Sequence, residues 1–165
     1  MTRRDRLSRR RLLGVLGAGT TAAFAGCSDI VGDDAPPYEE GTIGDADGEE
    51  RSAEEMATAE ALAEEEVNEG LTELDSLSFV DHEYVVEDDF RRATVQGTVE
   101  NTGDNRIQRI EVRARVYDGD GELLGRYLDV TGDLDAGSVW AFEVILLESP
   151  NDIESYDVAV LGTPS

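Results

Sequence analysis

The sequence predicts an all-β fold, an antiparallel β-sandwich in the C-terminal half, preceded by a disordered acidic spacer with one α-helix. Three observations predict it. Eight of the ten aromatic residues fall in 79–165, and aromatic side chains carry much of the apolar area of a small core. Several stretches there alternate apolar and polar residues with period two, the pattern of strands with one buried face. Clusters of Gly, Asp, Asn and Pro stand between those stretches, where turns would be needed.

The chain opens with Met1-Thr-Arg-Arg-Asp-Arg-Leu-Ser8-Arg9-Arg10-Arg11-Leu12-Leu13, a positive region leading into an apolar stretch from Leu12 to Gly26. Those 15 residues, diluted by Gly and Thr, fall short of the ~20 that a spanning helix needs and fit a secretory signal. Residues 8–13 resemble the twin-arginine consensus Ser-Arg-Arg-x-(Phe/Leu)-Leu, with Arg9 and Arg10 as the recognition pair. Phe24-Ala25-Gly26-Cys27 resembles a lipobox. Small residues at 25 and 26 admit the peptidase and the Cys27 thiol accepts the lipid; Phe24 stands where Leu is commoner. Cys27 is the sole cysteine, so no intrachain disulfide can form. Residues 1–26 are thus expected to be a signal peptide, with the remaining chain anchored through Cys27 to membrane lipid on the extracytoplasmic face of the cell membrane.

Residues 28–78 hold 18 acidic residues, one basic residue (Arg51) and one aromatic, Tyr38. Within 27–51, Asp, Gly and Pro dominate, and too little apolar surface is present to offset the entropy of ordering; a disordered tether is expected. At Ser52-Ala-Glu-Glu55 a capping-box pattern begins. Good helix formers follow, and Met56, Ala59, Ala63, Val67, Leu71 and Leu74 recur at helical steps, predicting a helix within 52–75 that Gly70 weakens. It reads as a spacer helix, with a coiled coil or partner-docking helix as the sharper alternative. Over 53–69 it would add about 25 Å of reach at ~1.5 Å per residue.

The sandwich domain is expected over 79–165. Ile110, Val112, Ala114 and Val116 alternate with Glu111, Arg113 and Arg115. Trp140, Phe142, Val144 and Leu146 share one face, as do Tyr156, Val158 and Val160. Further strands are expected at 82–87, 92–100 and 122–130, with turns at 101–105, 118–121, 133–137 and 149–152. Strands so spaced read as an immunoglobulin-like sandwich.

Gly97-Thr-Val-Glu-Asn101-Thr-Gly103, Val116-Tyr117-Asp118-Gly-Asp-Gly121-Glu122 and Leu134-Asp-Ala-Gly137, with Phe142 five residues on, resemble the FxLYD-domain family over about residues 80–162. Ala114 and Val116 occupy the positions where the eponymous motif has Phe and Leu. The resemblance implies a small immunoglobulin-like domain of prokaryotic lipoproteins and surface proteins, and it transfers no catalytic residue.

Charge narrows the function classes. The chain has 38 acidic residues, 14 arginines and no lysine. Residues 1–26 hold six of those arginines and one acidic residue, so the chain beyond them carries −29. Such a chain repels phosphate backbones, which excludes nucleic acid as a partner. Spread acidity without lysine resembles the proteins of extremely halophilic archaea; a cation-binding or steering surface is the alternative reading.

No catalytic constellation emerges, and no cofactor is implied. Asp118, Asp120 and Glu122 are weak candidates for calcium ligands, though Asp-Gly turns between strands explain the same residues. His82, the lone histidine, has no nucleophile placed by spacing beside it. Arg91, Arg92, Arg109, Arg113 and Arg115 read as solvated strand faces paired with Glu and Asp, or, for Arg113 and Arg115, as a local anion or docking patch. The expected function is a non-enzymatic protein-interaction or structural module contacting another envelope protein. The alternative is a ligand- or ion-binding lipoprotein accessory to a transporter.

Overall fold

The computed structural model describes residues 35–44 and 47–163. Arg9, Arg10, the Phe24-Ala25-Gly26 motif and Cys27 lie outside the described residues. Among those described, the period-two segments all form strands. In chain order the elements are β1 (Glu39–Gly41), α1 (Ala53–Ala63), β2 (Leu77–Val86), β3 (Ala93–Asn101), β4 (Ile107–Tyr117), β5 (Leu123–Leu134), β6 (Val139–Ile145) and β7 (Ser155–Gly162), with a single 3-10 turn at Pro150–Asp152.

Two antiparallel sheets result, ordered β1-β7-β4-β5 and β2-β3-β6. The core lies between them. Ile110, Val112, Ala114 and Val116 of β4 are fully buried, as are Val95 and Val99 of β3, Val144 of β6 and Val158 of β7. Fully burying a Val or Ile side chain contributes roughly 1.5–3 kcal/mol over leaving it exposed. A one-residue slip of β4 would turn that face out and drive Glu111, Arg113 and Arg115 inward, so the alternation fixes the register. The chain is an all-β sandwich of immunoglobulin-like type.

The turns also fall where the sequence places them. Gly121 (φ +80°) and Gly137 (φ +70°) supply the left-handed residues of the β4–β5 and β5–β6 connections, a conformation glycine adopts without steric cost. Asn101 is fully buried at the end of β3. Its carboxamide nitrogen lies 2.8 Å from the Asn105 carbonyl and 3.1 Å from that of Leu134. Its side-chain oxygen accepts from the Gly103 amide at 3.1 Å. One residue thereby ties the β3–β4 turn to the end of β5.

The spacer differs from expectation in two respects. Residues 39–41, within the stretch read as a disordered tether, form β1 and pair with Tyr156–Val158 of β7. The helix spans Ala53–Ala63, not 52–75. Its start is as predicted: the Ser52 hydroxyl accepts from the Glu55 amide at 3.3 Å, and the Ser52 amide donates to the Glu55 carboxylate at 2.8 Å. It stops where Glu64, Glu65 and Glu66 crowd its C-terminal end, which has no basic residue in its last turn; anions there oppose the helix dipole.

Candidate interaction surface

Sequence alternation points the odd residues of β4 away from the core, and the outer face of this sheet is where the spacer docks. Beyond α1 the chain returns to that sheet through turns, and Thr72 and Gly162 exchange backbone hydrogen bonds of 3.0 and 2.9 Å. Leu71, Ala159 and Leu161 are buried there, so the end of β7 from Val158 to Leu161 is apolar on both faces. Val67 breaks the predicted apolar stripe and is exposed.

Glu111, expected on a solvated face, is fully buried. Its carboxylate accepts from Arg113 Nε and from the Asn68 amide at 3.2 Å. Arg113 in turn donates to the Asn68 carbonyl at 3.0 Å. An ion pair is thus closed over by the main chain of a segment that looks like solvated spacer in sequence. A buried carboxylate needs such a partner, because leaving it unpaired costs several kcal/mol.

The neighbouring pair has the same logic. Arg115 donates in a fork to both Asp157 oxygens, and Tyr117 donates its hydroxyl to Asp157 at 3.2 Å. The hydrogen bond to Asp157 pushes the Arg115 pKa up. Arg115 also lies 3.5 Å from the centre of the Tyr38 ring; burial raises the Tyr38 phenol, and the Arg115 charge opposes that rise. Arg113 and Arg115 are therefore neutralised and covered, not displayed as a patch for anions.

Arg51 was visible in sequence only as the lone basic residue of the spacer. Its guanidinium donates to four main-chain carbonyls: Phe90 at 2.7 Å, Leu146 at 2.7 Å, Leu147 at 3.1 Å, and Arg91. Burial lowers its pKa. With Ala59 of α1 fully buried and Arg92 bonded to Glu55 at 3.2 Å, this clamp holds the helix against the sandwich. Arg91 instead bridges Asp89 and Glu143.

The remaining candidates sit apart from this face. Asp118 Oδ1 accepts from the Asp120 and Glu122 amides at 2.9 and 2.8 Å, so that carboxylate organises its own turn. Among the described residues no group of three or more His, Cys, Asp or Glu is arranged to hold a metal ion. His82 reaches from β2 towards the other sheet, its Nδ1 3.0 Å from the Tyr156 hydroxyl and its Nε2 3.9 Å from the Glu39 carboxylate. Asp129 of β5 accepts from the Glu143 amide of β6 at 2.9 Å, closing one side of the sandwich, and burial raises its pKa. A solvent-open recess of about 420 Å³ lies between Pro36, Leu71, Arg113 and Leu161. No helix among the described residues is long and apolar enough to cross a membrane.

The uncharacterized protein MJ0360 of Methanocaldococcus jannaschii is 33% identical over 91 residues, which cover 54% of this chain and 67% of that protein. The chain belongs to the family of this archaeal protein. No family model matches the chain, and no solved structure does. With no activity attached to the relative, the shared ancestry carries a domain but no chemistry.

Proposed function

We propose that this chain is a membrane-anchored extracytoplasmic lipoprotein, exported through its twin-arginine signal and acylated at Cys27. It acts there as a non-enzymatic protein-interaction or structural module of FxLYD type. The observation that carries the reading is the placement of the sole cysteine directly after Phe24-Ala25-Gly26, itself downstream of Ser8-Arg9-Arg10-Arg11-Leu12-Leu13. A diacylated lipid at that thiol anchors stably, since each buried methylene contributes roughly 0.8 kcal/mol.

The geometry supports the module reading in two ways. Asn101, Gly103 and Leu134, three of the positions that carry the FxLYD resemblance, meet in one hydrogen-bonded junction. Arg51, Glu111, Arg113 and Arg115 each engage their partners in holding the spacer to the sheet. The net charge of −29 beyond residue 26 serves solvation in molar salt, where charge repulsion is screened beyond about 3 Å and self-repulsion is weak.

Cell fractionation tests the anchor. Cys27→Ser should move the protein from the membrane to the medium; retention in the membrane fraction defeats the lipoprotein reading. Arg9→Lys with Arg10→Lys should leave it unexported in the cytoplasm. Crosslinking in cells at high salt should recover a specific envelope protein with the wild-type chain, and recovery of none counts against the module.

A further inference from the structure

β1 is held by few contacts. It has three residues, none of them buried, and pairs with β7 only over Tyr156–Val158. On its other side β7 pairs with β4 along its full length, Ser155 to Gly162. Pro36 and Pro37 precede β1; lacking an N–H, they stop the ladder where Glu39 meets Val158. Chain that leaves a sheet edge so sparsely paired exposes donors and acceptors that another strand can use.

The register of β1 is nevertheless specific. Tyr38 packs on Arg115, the Glu39 carboxylate faces His82, and a Cβ at position 41 would lie 2.0 Å from the Tyr156 ring, so glycine alone fits there. An occupant of this edge therefore needs an aromatic residue, an acid and, two positions after that acid, a glycine. The Tyr38-Glu39-Glu40-Gly41 segment is that sequence. Among the described residues, the next hydrogen-bonded hold on the chain after β1 is Gly48, which exchanges bonds with the Asn151 side chain.

We propose that the β7 edge is a strand-acceptor site whose second occupant is residues 38–41 of another copy of this chain, the two sandwiches exchanging β1 reciprocally. The proposal deepens the interaction-module reading and rests on it, naming the partner of that module as the chain itself. The contacts are the same within one chain or between two, so concentration decides between them. Anchoring in one bilayer raises the effective concentration of the exchanging segments. Molar salt removes the repulsion between two chains of −29 each.

Cysteine trapping tests it. Thr42 and Ser155 are exposed and come next in the antiparallel register after Gly41 and Tyr156. In the full chain carrying Cys27→Ser, a Thr42→Cys population is mixed with a Ser155→Cys population in molar salt under mild oxidation. The expected result is a disulfide-linked dimer of one chain of each kind, lost when Gly41→Val is added to the Thr42→Cys chain. The double variant Thr42→Cys/Ser155→Cys should close its bridge within one chain at high dilution. Absence of the mixed dimer overturns the proposal, as does a mixed dimer indifferent to Gly41→Val, which reports collision only. Failure of the bridge within one chain overturns it too, because β1 is then not docked. Because the read-out is in solution, the lipid anchor can fail its own test while exchange is still seen, and the reverse.

Discussion

Arg115 carries its guanidinium carbon 3.5 Å from the centre of the Tyr38 ring while its Nε–Nη2 edge engages both oxygens of Asp157. Tyr38 belongs to the acidic N-terminal segment and Arg115 to the centre of the sheet, so this one contact joins the two parts of the protein that look most different in sequence. A cation over an aromatic ring at a partly exposed site contributes about 0.5–1 kcal/mol. Tyr38→Ala should therefore lower stability by about 1 kcal/mol and speed hydrogen exchange at the amides of Glu39–Gly41. Tyr38→Phe, which keeps the ring, should lie within about 0.5 kcal/mol of wild type. Equal effects of the two variants on amide exchange would remove the ring from the account.

The Arg51 clamp gives a sharper expectation. Four carbonyls share one guanidinium, and removing the donor leaves them competing for water in a half-buried site. Arg51→Ala should cost about 2–3 kcal/mol and free α1 from the sandwich, read as a loss of exchange protection across Ala53–Ala63. Arg51→Lys keeps the charge but not the planar fork, and should recover less than half of that loss. Denaturant unfolding at fixed molar salt measures both.

Alkaline pH should report on all five tyrosines together. Each phenol is raised above its ordinary value of 10, foremost by burial, with Tyr84 and Tyr156 pushed up to about 12. A folded-state pKa above the unfolded one means that this stabilisation is fully present below pH 10 and is lost as pH rises through about 12. Tyr84 and Tyr156 should add no phenolate absorbance through pH 10 and should ionise only as the pH approaches about 12. Ionisation of either one near pH 10 with the fold intact would contradict the packing described.

Much of the sandwich is legible in the sequence because its strands are half-buried. Ile110 to Val116 had to alternate, since one side meets the core and the other does not, and the same holds for Phe142 and Val144. β1 was not legible for the converse reason. Glu39, Glu40 and Gly41 bury nothing, and what places them is a ring on Arg115 and an absent side chain beside Tyr156, neither of which leaves a periodic trace. The burial of Glu111 is not legible because alternation tells which residues avoid the core, not whether a second layer of chain covers them. Arg51 did carry a signal: one basic residue among 18 acids is compositionally conspicuous. Composition alone gives it no partners, because its acceptors are carbonyls of residues 90, 91, 146 and 147, whose side chains are irrelevant to the contact.

The docking of β1 bears on the reach of the anchor proposed at Cys27. Counted to the first strand of a sandwich starting near residue 77, a lipid on Cys27 would be followed by some 50 residues, a leash of up to about 170 Å at ~3.4 Å per residue. Glu39, already fixed in the sheet, is only 12 residues from Cys27, which limits the leash to about 40 Å. With α1 folded back on the sandwich, the spacer lends no height. For the anchor proposed at Cys27, that contour length is the farthest the β1 edge can stand from the lipid, and release of the three β1 residues would lengthen it.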